Sequence, residues 1–435
     1  MKNYLMKIKV NKGRLKMYKK AYVDILKEEL IAAMGCTEPI ALAYAAAKAR
    51  EVLGEIPQKV SVGASGSIIK NVKSVIVPNT NHLKGIEAAV AAGIVAGNAS
   101  KELEVIADID TSEIQKINDF LALDAIEVAC IEDGCTFEIE ITLYGEENSA
   151  YVRIANYHTN IVEIKKNSRT IYSKEVEVDS ENGLTDRSLL NMRDIFDFAM
   201  SVEISQVEEL INRQIEYNMV IAEEGLNGDY GANIGKVLLK CEGDSVRVRA
   251  KAYAAAGSDA RMNGCELPVI INSGSGNQGI TCTCPVVIYA RELSASKEQL
   301  IRALVLANLT AIYQKTGIGR LSAYCGAVSA GVAAGAGITY LNGGGYKEVI
   351  HTVVNSLAIV SGMVCDGAKA SCAAKIAMAV DAGILGYEMY KCGQQFYSGD
   401  GIVAKGPDAT IRNIGCLGKD GMKETNQTII NMMIK

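Results

Sequence analysis

The chain has 435 residues, 49% of them hydrophobic and 22% charged, with six prolines and no tryptophan. That composition excludes a disordered or fibrous protein, and the length suits two or three domains of roughly 100–200 residues each. The formal net charge of -5 leaves no basic footprint for nucleic acid, so none is expected as a partner.

Lys2, Lys7, Lys9, Lys12, Arg14, Lys16, Lys19 and Lys20 all precede the first acidic residue, Asp24, so residues 1–20 read as a solvated basic arm. No apolar run follows them before Asp24, a pattern unlike a signal peptide, and a cytoplasmic protein with reduced thiols is expected. The helical spacing of Tyr22, Ile25, Leu26, Leu30 and Ile31 predicts a helix over 21–34, stopped by Gly35. Thr37 is expected to cap a second helix from Glu38 to Leu53, which Gly54 ends. Strands are expected at Lys59–Val62 and Ser74–Val77, then a helix near Leu83–Ala96. Alternating apolar residues predict further strands at Phe137–Leu143, Tyr151–Ala155 and Ile161–Ile164. The fold class is therefore α+β, with a small mixed sheet in an N-terminal domain of residues 21–185.

From Leu189 the signal is almost wholly helical, broken by glycine-rich stretches at 226–231, 272–279, 342–345 and 393–401, so residues 186–435 read as a mostly α-helical domain. The uncharged run Leu321–Tyr346 exceeds the ~18-residue threshold for a membrane span. Its small residues and the break at Asn342-Gly343-Gly344-Gly345 predict a tightly packed internal helix instead, and no membrane partner is expected.

Twelve cysteines in such a chain argue for free thiols over disulfides. Cys36, in Gly35-Cys36-Thr37-Glu38-Pro39, falls at a helix N-terminus, where the dipole and unpaired N–H groups lower a thiol pKa from ~8.5 towards neutrality. It reads either as a thiolate base or as a small buried residue between helices. Cys325, in Tyr324-Cys325-Gly326, and Cys365 with Cys372, flanking Asp366-Gly367, have no histidine nearby. They are candidates for all-thiolate ligation of a soft centre such as an iron-sulfur cluster, and three core cysteines are the alternative. Three ligands leave one iron open to act as a Lewis acid. Structural zinc would require paired cysteine knuckles that the sequence lacks. Cys282-Thr283-Cys284, read as a strand, turns at most one thiol towards such a site. Cys130, Cys135, Cys241, Cys265, Cys392 and Cys416 carry no motif.

In the loop Asn272 to Gly279, successive small residues can expose backbone N–H groups in a nest suited to a carboxylate or phosphate. Asn272, Ser273, Gly274, Ser275 and Asn277 are thus substrate-binding candidates, against the alternative of a structural turn. The Ser-Gly-Asn core also keeps pyridoxal phosphate as a rival cofactor. Gly63 to Ser67 is a weaker loop of the same type. His82, His158 and His351 lie far apart in sequence and read as structural.

On Met34-Gly35-Cys36-Thr37-Glu38-Pro39, Asn272 to Gly279 with Thr281 to Pro285, Tyr324-Cys325-Gly326, and Gly362 to Lys369 through Cys372, the chain resembles the L-cysteine desulfidases. These are the iron-sulfur branch of the serine-dehydratase-like proteins, and the resemblance covers nearly everything after the basic arm. It implies a 4Fe-4S cluster on Cys325, Cys365 and Cys372, with Cys36 as proton acceptor, and an α+β domain fused to a helical cluster domain. Cys365 and Cys372 stand closer together than the last two ligands of serine dehydratases. The implied reaction is α,β-elimination from L-cysteine, giving sulfide and an aminoacrylate that ends as pyruvate and ammonia. L-Serine dehydration by the same kind of site and a non-enzymatic iron-sulfur sensor are the alternatives. The expected partner is a small amino acid, L-cysteine or L-serine, with a homodimer as a further option.

Overall fold

The computed structural model describes residues 18–178 and 184–434; residues 1–17 of the expected basic arm lie outside them. Residues 18–20 open the first helix, α1 (18–29), and Lys19 is tied to the body through a 2.9 Å bond from its Nζ to the Ser201 carbonyl oxygen. The helix stops sooner than the apolar spacing suggests. Ala32–Met34 instead form strand β1, because a distant backbone edge at residues 268–270 offers them hydrogen bonds.

α2 (Thr37–Leu53) follows, starting one residue before the expected Glu38, so that Cys36 and not Thr37 takes the N-cap position; Gly54 closes it in the left-handed region (φ 90°). Then come β2 (Lys59–Ser65), α3 (Gly66–Val72), α4 (Gly85–Ala96), α5 (Thr111–Ala122), β3 (Ile126–Ile131), β4 (Glu138–Tyr144), β5 (Ser149–Ala155), β6 (Ile161–Lys166) and β7 (Arg169–Ser173). Six of these strands form one sheet in the order β3-β2-β4-β5-β6-β7, parallel only between β2 and β3. Val60, Val62, Ile139, Ile141, Val152 and Ile154 are fully buried by the period-2 alternation, and the alanine-rich α2 packs over β4 and β5 with α4 behind it. Ser74–Val77 is no strand. It contributes one isolated bridge, Ile76 to Lys84. β3 and β7 sit at the sheet edges, where mostly exposed side chains leave little alternation to read.

The helical part comprises α6 (Met192–Ser201), α7 (Glu208–Asn227), α8 (Ile234–Glu242), α9 (Val246–Met262), the short β8 (Pro268–Ile270), α10 (Gly276–Glu292), α11 (Lys297–Ile318), α12 (Gly326–Leu341), α13 (Tyr346–Val360), α14 (Cys372–Lys391), α15 (Pro407–Cys416) and α16 (Lys423–Ile434). The uncharged run forms α12, packed against α14 through small residues. A Cβ on Gly331 would lie 2.4 Å from the Ala379 carbonyl carbon, and one on Gly335 would lie 2.7 Å from the Gly383 oxygen. Side chains of ordinary size there would force the helices apart. No helix among the described residues is long and apolar enough to cross a membrane.

The fold is thus mixed α+β. Element type changes between Ser173 and Met192, yet one hydrophobic core runs through both parts. β1 pairs antiparallel with β8, Ala33 opposite Val269, and α16 packs on α3. Lys70 of α3, 2% exposed, donates to Asn426 Oδ1 at 2.7 Å and to the Cys365 carbonyl oxygen at 3.3 Å.

Candidate active site

Four helices begin around one small cavity of about 100 Å³. Cys36 is the N-cap of α2, Ser275 of α10 and Cys325 of α12, while Cys372 is the first residue of α14; all four line the cavity, as does Cys365. None of the three N-cap side chains accepts a capping bond from a backbone N–H of its own helix. The first-turn N–H groups and positive dipole ends of these helices therefore border a common space, which favours anionic occupants.

Cys36 is buried, and its Sγ donates to Glu38 Oε2 at 3.0 Å. Asn71 Nδ2 donates to the other carboxylate oxygen at 2.9 Å, and the Thr37 hydroxyl bonds the Gly274 carbonyl oxygen at 2.9 Å, fixing α2 to the loop before α10. Burial and the Glu38 charge push the Cys36 thiol well up, which corrects the expectation of a thiol lowered by the helix dipole. Burial opposes the Glu38 charge as well, but nearby His158, the Cys36 thiol and Arg261 outweigh it and hold the carboxyl below its ordinary range. The resting pair is a neutral thiol donating to a carboxylate.

Cys325 and Cys365 are drawn together by a short antiparallel pairing: Cys325 N donates to the Met363 oxygen at 3.0 Å and Cys365 N to the Ala323 oxygen at 2.7 Å. Gly367 then turns the chain at φ 93°, with its α-carbon so close to Lys70 that a Cβ would lie 2.4 Å from the Lys70 carbonyl oxygen; the turn delivers Cys372 to the start of α14. Burial, and then the neighbouring Cys365, push the Cys325 thiol up to about 12, and burial followed by Cys365 raises Cys372. Among the described residues no three His, Cys, Asp or Glu side chains converge to hold one metal ion. Sulfurs spread around a cavity suit a multi-iron cluster, in which each ligated iron takes its own cysteine, and the soft, imidazole-free donor set fits that group.

The loop before α10 divides. Ser275 and Asn277 line the cavity, whereas Ser273 lines a neighbouring cleft and Asn272 is fully buried, with Nδ2 donating to Asn308 Oδ1 at 2.9 Å and Oδ1 accepting from Ser273 Oγ at 2.9 Å. Ser273 (φ 50°) and Gly274 (φ 77°) form a tight turn, closed by reciprocal bonds between Asn272 and Ser275. This corrects the reading of a continuous nest: the N–H groups of Asn272 and Ser275 are consumed by the turn, and the side chains of Asn272 and Ser273 serve it. The α10 end of the loop faces the cavity, and Ser273 faces the cleft. Cys282 and Cys284 lie inside α10, not on a strand, and neither lines the cavity.

Sequence reasoning missed Glu38 as a site residue, though it stands two positions from Cys36. It also missed Arg261 and Lys315 among the cavity's lining, whereas Gln278, a side-chain donor of the loop, does line it. The available signal was a charged residue set in an alanine-rich helix, as in Ala254 to Met262. Burial pulls Lys315 down to about 8, against the opposing influence of Cys365 and Cys325. His158 is buried edge-on against Phe137, with ring centroids 4.6 Å apart, while His82 and His351 lie away from the cavity. Lys315, Arg320, Leu321 and Ser322 line both the cavity and the neighbouring cleft of about 690 Å³.

A family described as the serine dehydratase alpha chain matches residues 100–431. A UPF0597 protein of Desulfitobacterium hafniense is 60% identical, over 96% of this chain and 97% of that protein. A UPF0597 protein of Lachnoclostridium phytofermentans is 50% identical over 96% of this chain and 100% of its own length, and one of Treponema denticola is 49% identical over 95% and 97%. With three quarters of its length inside that match, the chain belongs to the serine dehydratase alpha-chain family.

Proposed function

We propose that the protein is an iron-sulfur-dependent carbon-sulfur lyase that converts L-cysteine to pyruvate, ammonia and sulfide by α,β-elimination. The observation that carries this reading is the meeting, around one small cavity, of the thiols Cys325, Cys365 and Cys372 with the Cys36–Glu38 pair and the start of α10. The three cysteines would hold a 4Fe-4S cluster, which when bound supplies an open iron as Lewis acid for the leaving group.

The remaining work falls to the chain itself. Ser275, Asn277 and the first-turn N–H groups of α10 receive the substrate's α-carboxylate. Cys36 in its thiolate form would accept the substrate's α-proton, and the Glu38 carboxylate, 3.0 Å from its Sγ, fixes where that sulfur lies. Orientation by the carboxylate aims the Cα–H bond at Cys36, and the small cavity keeps bulk water from the intermediate.

L-Serine dehydration is the second reading, favoured by the family description. It uses the same proton removal with hydroxide in place of sulfide. A redox sensor would need neither a carboxylate-bonded thiol nor a helix N-terminus beside it. Anaerobic purification, iron and sulfide analysis, and a pyruvate assay on both amino acids test the proposal. Roughly four irons per chain with pyruvate and sulfide from L-cysteine are expected, with activity that decays in air. Pyruvate from L-serine alone would transfer the assignment to the second reading, and full aerobic activity without iron would sink both.

A further inference from the structure

Arg261 ends α9 and is 3% exposed, yet it lines the cavity. Its Nη1 donates to Asn277 Oδ1 at 3.1 Å, its Nε has no partner, and it makes no ion pair among the described residues. The guanidinium lies directly against Gly276, the first residue of α10: a Cβ there would sit 2.2 Å from Nε and 2.7 Å from Cζ. Glycine at that position leaves the space the guanidinium occupies, bringing it beside the unpaired N–H groups of the α10 N-terminus.

A buried guanidinium without a counter-charge is unfavourable, because desolvation is not repaid by an ion pair. Glu38 is near enough to act through space on the same surroundings, but its two oxygens already accept from Cys36 and Asn71. The charge that completes this arrangement therefore comes from a ligand. A planar fork beside a helix N-terminus matches a carboxylate in both geometry and sign.

We propose that Arg261 binds the substrate's α-carboxylate together with the start of α10, restricting the site to small α-amino acids whose carboxylate is free. The inference rests on the elimination reading and adds to it the residue that reads the substrate's class. Arg261 acts as a binding group and holds Cα in line with Cys36, so its loss weakens binding more than it disturbs the cluster.

The test uses L-alanine, which has the carboxylate, amine and α-proton but no leaving group, against L-alaninamide, which lacks the carboxylate charge. Anaerobic titration calorimetry on the cluster-loaded wild type, Arg261→Gln and Arg261→Lys should show wild type preferring L-alanine. The Gln variant should lose roughly 10- to 100-fold in affinity for L-alanine with little change for the amide, and the Lys variant should fall between, with visible absorbance unchanged in all three. Equal preference for L-alanine in wild type and variants, or no binding of L-alanine to wild type, overturns the proposal. If the Gln variant fails to fold, an unchanged preference in the Lys variant does the same. If the Arg261-dependent preference is present but wild type yields no pyruvate from L-cysteine or L-serine, the elimination reading falls and the carboxylate site stands.

Discussion

Two groups of buried cysteines behave differently although burial treats them alike. Cys282 and Cys284, inside α10, are fully buried, and Cys284 Sγ donates to the Asn218 carbonyl oxygen at 3.3 Å. Cys36 and Cys325, at 2% and 9% exposed, are almost as hidden. Burial raises the thiol pKa in both groups. What separates them is position along a helix. A mid-helix cysteine stands beside N–H groups already bonded to the preceding turn, whereas a cysteine at the N-cap or first position stands beside unpaired donors that border open space. Depth alone marks a core residue; a helix start facing a cavity marks chemistry.

The sharpest way to break this comparison is to remove one sulfur from each group. Cys325→Ser, Cys365→Ser or Cys372→Ser should abolish both the broad visible absorbance of the anaerobically reconstituted protein and its activity. Cys284→Ala should keep both and lose about 1–2 kcal/mol of stability in a urea titration. Absorbance that survives all three serine changes would dismiss the assigned trio. The next largest effect separates base from ligand. Cys36→Ser should retain the chromophore and lower kcat by roughly 10²- to 10⁴-fold, since a hydroxyl is far less acidic than a thiol. Exchange of the substrate α-proton with deuterated solvent should stop with it; exchange at the wild-type rate eliminates Cys36 as the base.

The smallest effect is on stability. Burial holds His158 down at about 4, against 6.5 for a free imidazole, so the unfolded chain takes up a proton that the folded one refuses. Between those two values the unfolded state binds more protons, and stability falls as pH drops through the window, by up to about 3 kcal/mol. His158→Gln should flatten that stretch of the stability curve, measured by urea unfolding at intervals between pH 7 and pH 4. Identical slopes in the two proteins would show that His158 is not responsible.

Much of the site could be read locally. Glu38, Pro39 and Gly54 announce α2 through preferences that act over a few residues, although the cap falls on Cys36 and not on Thr37. Cys365 and Cys372 are close in the chain, joined by a turn that Gly367 permits. What could not be read depends on distant partners. Asn272 is tied to Asn308, β1 exists because of β8, and Arg261 stands out only when its side chain is found buried without a counter-charge. The direction of the thiol's shift was misjudged for another reason: the dipole argument omitted burial, which raises the thiol most, and a carboxylate two residues away.

The ties among β1, β8, α3 and α16 also constrain how the protein comes into being. The β1–β8 ladder sets Cys36 and Ser275 against each other across more than half of the chain, and the Cys365 carbonyl is held by Lys70, which is held in turn by Asn426 near the C-terminus. Contacts of such long sequence separation close late in folding. The Cys365 turn is therefore steadied only once Lys70 and Asn426 have met, so the cavity is among the last parts of the fold to be completed.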